Sequence, residues 1–328
     1  MKYIDNKDNL DIAVSFAIEE FALTELDPNE TYFLFYRMKP TVIVGKNQNT
    51  VEEINMNYVK SHHVNVIRRL SGGGAVYNDE GNLSFSFITK DDGNSFSNYR
   101  KFTDPIVRAL HQFGVNASFQ GRNDLVVDGK KISGNAQFAT KGRIFSHGTL
   151  LFDVNLDNVA KALNPDIEKF ESKGIKSVRS RVVNIRELMS KDMDILEFKQ
   201  HLLNKIFEEE GGMSEYKLSK KEWEKIYEIA DKRYRNWDWV YGRSPEFNVK
   251  YSKRFSGGRV DIRLNVKKGY ISSAKIFGDF FAVGDISELE EMLKGLKYTD
   301  EDIKAVFNKI DTNYYFGSIT KEDILSML

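Results

Sequence analysis

The chain carries no cysteine in 328 residues. That absence excludes a disulfide, a cysteine-bearing zinc site and catalysis through a thioester. Proline is scarce, at 5 residues. No uninterrupted apolar run approaches the roughly 18–20 residues of a membrane span. The start, Met1-Lys2-Tyr3-Ile4-Asp5, leads into charge rather than into the apolar core of a signal peptide, so no membrane is expected and the chain is expected in the cytoplasm. Charge of one sign is also missing: 48 Lys plus Arg balance 48 Asp plus Glu, which leaves no overall basic excess to attract nucleic acid. Any positive potential must therefore be local. What remains is a globular composition, 41% hydrophobic, with a length that allows two domains, the larger able to bury a substantial core.

The patterning reads as α/β (α+β). Leu10, Val14, Ala17, Ile18, Phe21 and Ala22 share one stripe of a helix over Leu10–Leu23. Strands follow at Tyr32–Arg37 and Thr41–Gly45, and Thr50-Val51-Glu52-Glu53 has the form of a capping box opening a helix to about Lys60. Leu83, Phe85 and Phe87 alternate with Ser84 and Ser86, as in a strand with one buried face. Helices are predicted at Phe102–Phe113, with Pro105 tolerated near its start, and at Ile195–Glu210, with a strand at Ile144–Phe152. Hairpins dominate this order, which predicts a mixed β-sheet flanked by helices rather than a doubly wound parallel sheet.

Gly242 and Pro245 interrupt an aromatic run and set a boundary between a domain over 1–242 and a small α+β domain over 246–328. The latter is predicted to have strands at Phe247–Tyr251, Gly258–Lys267 and Tyr270–Phe277 and helices near Ile286–Leu293, Asp300–Asn308 and Lys321–Met327. Asp311-x-Asn313 with Glu322 is no calcium loop, because Tyr315 and Phe316 stand at the fifth ligand position and at the turn glycine.

Two segments carry chemistry. In Arg68-Arg69-Leu70-Ser71-Gly72-Gly73-Gly74-Ala75-Val76-Tyr77, three glycines behind two arginines leave backbone amides beside fixed positive charge, a place to hold phosphate or carboxylate oxygens. It is neither a Walker A loop nor a Gly-x-Gly-x-x-Gly dinucleotide turn. Gly72 to Gly74 serve equally well as a wide turn between the strands Val64–Leu70 and Ala75–Tyr77. The second segment, Asn123-Asp124 through Ser133-Gly134, reads as a hairpin around Asp128-Gly129, whose residue types favour a type I′ turn. Strict alternation along its second strand puts Lys131 and Ser133 on one face and Lys130 and Ile132 on the other.

Arg68–Val76, Asn123–Leu125, Lys131–Gly134 and His147–Leu151, in that order, resemble the motifs of the lipoate–protein ligase family. Lys173-Gly174-Ile175-Lys176-Ser177-Val178-Arg179-Ser180-Arg181-Val182 is similar to that family's adenylate-binding loop, and the likeness runs on through Trp237-Asp238-Trp239 and Tyr241-Gly242. The resemblance implies a biotin/lipoate ligase-like catalytic domain with a small C-terminal accessory domain. It implies an enzyme that activates lipoate with ATP, as its Mg2+ complex, to lipoyl-AMP and passes the lipoyl group to a lysine of a carrier. The carriers would be the E2 lipoyl domains of 2-oxoacid dehydrogenases or the glycine-cleavage H protein. Lipoyl and octanoyl transferases of the same superfamily use a cysteine nucleophile, which this chain lacks, so an adenylate is the economical route.

Within that resemblance, Lys131 is the catalytic residue: its ammonium would bridge the acid's carboxylate and the α-phosphate, which otherwise repel each other. Arg69, Ser71, Gly72, Gly73, Gly74, Ala75, Val76, Tyr77, Asn123, Asp124, Ser133, Gly134, His147, Gly148 and Thr149 would line the ATP and lipoate sites, with Asp124 also a candidate magnesium ligand. Many family members have Phe-His-Asp after the glycines; this chain has Tyr77-Asn78-Asp79, and Asn78 cannot gain a proton. Lys173, Gly174, Ser177, Val178, Arg179 and Arg181 would close over the anionic adenylate and exclude water. The other readings are a non-catalytic accessory protein that binds lipoyl domains, and a biotin–protein ligase. Against the latter, the chain has no Gly-Arg-Gly-x-x-Gly-Arg run and no N-terminal DNA-binding helix pair.

Overall fold

The structure is a computed structural model and describes residues 1–163, 181–208, 211–242, 247–267 and 269–328. The chain packs into two compact units: Met1–Ile43, Ile54–Ile67 and Val76–Asn236 make the first, and Val44–Glu53, Arg68–Ala75 and Trp237–Leu328 the second. Among the described residues no helix is long and apolar enough to cross a membrane.

The first unit is built on a seven-stranded mixed sheet, in the order β1 (Lys2–Asp5), β2 (Tyr32–Tyr36), β6 (Asn82–Lys90), β10 (Arg143–Leu151), β9 (Lys130–Thr140), β8 (Asp124–Val127) and β7 (Ser118–Gln120), while β3 (Thr41–Val44), β4 (Asn65–Arg68) and β5 (Val76–Asn78) form a three-stranded sheet of their own in the order β4-β3-β5. β1 and β2 run parallel and the other pairs antiparallel. One face carries Phe33, Phe35, Phe85, Phe87, Leu125 and Ile144, which pack with Phe102, Ile106, Phe198 and Leu202 from the helices Tyr99–His111 and Ile195–Glu208 into the main core. The opposite face is polar: register puts Ser84 beside Thr149 and Ser86 beside His147. Alternation predicted one buried face for this strand, that of Leu83, Phe85 and Phe87, and left the serine face out of the core. It is buried instead, with Ser84, Ser86 and Asn82 all inaccessible. The helix Ile12–Thr24 brings Phe16 and Glu19 to His147 on that face, which explains the burial.

The capping-box segment also differs. Thr50–Glu53 is a single helical turn, and Asn55 caps a separate helix, Met56–Ser61, by accepting from the Tyr58 amide at 3.2 Å. Thr50 cannot cap, because its hydroxyl donates to the Val240 carbonyl at 2.5 Å and accepts from Arg68 at 2.6 Å.

The second unit holds a three-stranded antiparallel sheet of Val249–Phe255, Gly258–Lys267 and Tyr270–Gly278. Its apolar face, including Val260, Ile262, Leu264 and Ile276, packs on Leu289, Phe307 and Phe316 from the helices Ile286–Leu293, Asp300–Lys309 and Thr312–Phe316. The last of these was not foreseen. Asp311, part of the rejected calcium pattern, caps it by accepting from the amides of Asn313 and Tyr314.

Candidate active site

Asp128 and Gly129 adopt φ values of 49° and 75°, the left-handed pair a type I′ turn requires, so β8 and β9 form the predicted hairpin. The register within it is not uniform. Asp124 pairs with Gly134 and Leu125 with Ser133, but Val126 pairs with Lys131, leaving Ile132 as an extra residue in β9. This bulge overturns the expected alternation. Ile132 and Ser133 both stand opposite Leu125, fully buried, while Lys131 is carried to the face of Val126 and Asp124. There its Nζ lies 2.7 Å from Asp124 Oδ1, with both side chains 36% exposed.

The surroundings fix this hairpin. Asn123 Nδ2 donates to the Asn135 carbonyl, and the Asn135 amide and Nδ2 donate back to the Asn123 carbonyl at 2.9 and 3.0 Å. Asn135 Nδ2 also donates to Ser133 Oγ at 3.3 Å, so Ser133 serves the buried side of the strand. The Gly134 amide donates to Thr149 Oγ1 at 3.2 Å, just past Gly148↔Asn135, the last pair of the β9–β10 ladder. A side chain at Gly148 would strike Asn135 and the Phe85 ring, which accounts for that glycine. Val182 bridges to Lys131 in parallel and the Val183 amide donates to the Lys131 carbonyl at 3.1 Å, so the chain after residue 180 is tied to the lysine's own backbone. Arg181 is exposed there. Lys173, Gly174, Ser177, Val178 and Arg179 lie outside the described residues.

His147 is buried. Its Nδ1 sits 3.2 Å from both carboxylate oxygens of Glu19, which also accepts from the Tyr36 hydroxyl at 3.1 Å, and the Phe145 ring lies 4.9 Å away. Sequence reasoning missed Glu19 because it stands off the apolar stripe of Leu10, Val14, Ala17, Ile18, Phe21 and Ala22, where an acid reads as solvated, whereas the helix is buried on nearly every side. Tyr77 is buried, accepts from Asn158 Nδ2 at 3.3 Å, and burial pushes its phenol up. Burial likewise raises the Asp79 carboxyl, whose oxygens accept from the Gly81 and Asn155 amides.

In the second unit the glycine run is shaped by its arginines. Arg68 is fully buried, and its guanidinium donates to the carbonyls of Gly45, Lys46, Gln48, Trp239 and Val240 and to Thr50 Oγ1. Arg69 donates to Ser71 Oγ at 3.1 Å and to the carbonyls of Gly72 and Gly74 at 2.6 and 2.9 Å, curling the loop around its own head group. A Cβ on Gly72 would meet the Phe280 carbonyl at 2.4 Å, and one on Gly73, at φ 94°, would meet the Phe281 ring at 2.7 Å. Gly74 differs: nothing lies within 4 Å of its would-be side chain, and Gly74, Ala75 and Val76 are partly exposed while Ser71 to Gly73 are buried. The run thus divides into a packed half and an open half.

Among the described residues no three His, Asp or Glu side chains gather as metal ligands. Asp124 offers one carboxylate, which suits a cation that arrives with its own phosphate ligands better than a resident metal.

The first unit thus carries a mixed sheet with a bulged lysine hairpin, and the second a small three-stranded sheet. Residues 11–207 match the lipoyl protein ligase A/B catalytic domain, and residues 244–328 match the bacterial lipoate protein ligase C-terminus. The chain is 56% identical to the lipoate-protein ligase LplJ of Bacillus subtilis, over 100% of both chains. Among solved structures it resembles P. falciparum LipL1 in complex with lipoate, at TM-score 0.81, 26% identity and coverage of 99% of this chain and 98% of that one. It also resembles the bipartite lipoate protein ligase of Thermoplasma acidophilum studied with its E2 lipoyl domain (TM-score 0.66, 29% identity, 76% and 98% coverage). A lipoate-protein ligase A bound with ATP gives TM-score 0.62, 26% identity and 74% and 97% coverage. The chain belongs to the lipoate–protein ligase family and is an enzyme that acts as a ligase.

Proposed function

We propose that this enzyme activates lipoate with ATP and transfers the lipoyl group to a lysine of a carrier protein, an E2 lipoyl domain or glycine-cleavage H protein, in the cytoplasm. In the first step a lipoate carboxylate oxygen bonds to the α-phosphorus and the bond to the bridging oxygen breaks, releasing pyrophosphate. In the second, the acceptor amine attacks the acyl carbon, AMP leaves, and the nitrogen gives up a proton as the amide forms. The full-length likeness to lipoate–protein ligases, with lipoate or ATP bound in solved relatives, supports the substrates.

The observation that carries the mechanism is the Lys131–Asp124 pair. A half-exposed ammonium already holding a carboxylate at 2.7 Å is placed to hold a substrate carboxylate in the same way. Lys131 would offset the repulsion between that carboxylate and the α-phosphate, then stabilise the oxyanion of the transfer step. Magnesium enters with ATP, and Asp124 is the acidic group proposed to reach it. The open stretch Gly74–Val76 is proposed to take phosphate oxygens, with Arg69 acting by setting the loop's curvature. The basic stretch 173–181 is proposed to cover the adenylate; the residues that follow it, Val182 and Val183, pair with the Lys131 backbone. The catalytic part is assigned to residues 1–242 and an accessory domain to 246–328, an assignment supported by the two matched domain families.

Lipoate-dependent exchange of labelled pyrophosphate into ATP tests this reading. Exchange that needs lipoate and collapses in Lys131→Ala is expected. Exchange with biotin alone, or none with any acid from folded protein and magnesium, would overturn it.

A further inference from the structure

We infer that Gly134 is a positioning residue: its bare Cα is the seat of the Lys131 ammonium, and the bulge at Ile132 is what turns the lysine onto that seat. This rests on the reading of Lys131 as the group that holds the acyl carboxylate.

Lys131 and Gly134 are three positions apart, so in an unbroken strand they would project to opposite faces. The register says otherwise, because the extra residue Ile132 moves Lys131 to the face shared by Asp124 and its partner Gly134. The lysine then folds back along its own strand toward Asp124. A Cβ built on Gly134 would lie 2.8 Å from Lys131 Nζ, 3.0 Å from its Cε and 3.9 Å from Asp124 Oδ1. All three are side-chain atoms, and the nearest is the flexible tip of the lysine.

The backbone does not account for this glycine. Gly134 lies within the extended strand β9, outside the left-handed region that the glycines at turns in this chain occupy. Its amide is held by Thr149 Oγ1, so the seat itself does not move. What the missing side chain provides is room for the ammonium. An alanine would leave the strand intact and lift the ammonium by about 1 Å, the amount needed to restore ordinary carbon–nitrogen contact. Displacement of a catalytic group by that distance lowers rates by about 10²-fold.

The test is a double-mutant cycle of Gly134→Ala and Lys131→Ala, each protein checked for native far-UV circular dichroism and melting temperature. The readouts are lipoate-dependent pyrophosphate exchange and calorimetric affinity for a non-hydrolysable lipoyl-sulfamoyl adenosine. If Gly134 acts through the lysine, Gly134→Ala alone melts as the parent does, keeps its KM for ATP and loses about 10²-fold in exchange rate. On the Lys131→Ala background it then changes analogue affinity no further. An equal fold-loss on both backgrounds, or parental exchange in Gly134→Ala while Lys131→Ala is inactive, overturns the positioning role alone. Parental exchange in Lys131→Ala overturns the reading of Lys131 itself, a separate result.

Discussion

Arg68 and Trp239 bind each other twice: Arg68 Nε donates to the Trp239 carbonyl at 2.8 Å, and Trp239 Nε1 donates to the Arg68 carbonyl at 2.9 Å. The rest of the guanidinium is taken up by carbonyls of the 45–48 turn and of Val240, so one buried cation organises two distant stretches of sequence. Five fixed donors suit this geometry, and a lysine's compact ammonium does not. Arg68→Lys is expected to lower stability by about 3 kcal/mol, since several buried carbonyls lose their donor together, and Trp239→Phe by about 1–2 kcal/mol. Urea denaturation followed by circular dichroism reads both; a Lys variant as stable as the parent would contradict the staple.

Gly73 and Gly74 should separate packing from ligand contact. Gly73→Ala meets both a left-handed backbone and the Phe281 ring, and should cost about 1–3 kcal/mol. Gly74→Ala meets nothing, so its stability should stay within about 0.5 kcal/mol of the parent. If the open stretch takes phosphate oxygens, Gly74→Ala nevertheless raises the KM for ATP. Thermal melts set beside exchange kinetics decide this, and unchanged kinetics in Gly74→Ala would remove the loop's open half from the site.

Glu19 is a buried acid shared by His147 and Tyr36. Glu19→Ala removes the carboxylate from a low-dielectric pair and is expected to destabilise by about 3 kcal/mol, whereas Glu19→Gln keeps the shape and should cost less. Equal melting temperatures for the parent and both variants would show that the pair contributes no stability.

Tyr216 supplies a pH dependence. Burial, reinforced by the hydroxyl's 2.7 Å hydrogen bond to Glu222, pushes its phenol from 10.0 up to about 12. The folded state therefore keeps a proton that the unfolded chain loses. The stability this gives is complete below pH 10 and is lost as pH rises through the folded value of about 12. Tyr216→Phe should flatten the fall in melting temperature across that window, as measured by calorimetry at stepped pH. A fall as steep as the parent's would assign the alkaline loss to other groups.

Much of this architecture was legible in the residues. Asp128-Gly129 specified its turn, because few residue pairs accept two left-handed conformations in succession, and Ile286–Leu293 was readable from period and capping alone. The helix at Thr312–Phe316 was not, since a single turn carries too little periodicity and its capping Asp311 resembles a metal ligand equally well.

The sequence by itself determined the class of the longer elements, the order of the motifs, the absence of thiol chemistry and the candidacy of Lys131. Those properties are local: they depend on residue type and on spacings within one strand or turn. Tertiary structure alone decided where the lysine points, which face of the sheet is dry, and which half of the glycine run is free. Each of these turns on groups far apart in the chain. The pairing of Val126 with Lys131 reverses a parity that alternation would fix, the Ile12–Thr24 helix buries serines that alternation left out of the core, and Phe281 fills the space that two of the glycines leave. Strand register and close packing are properties of pairs of segments, and no single segment encodes them.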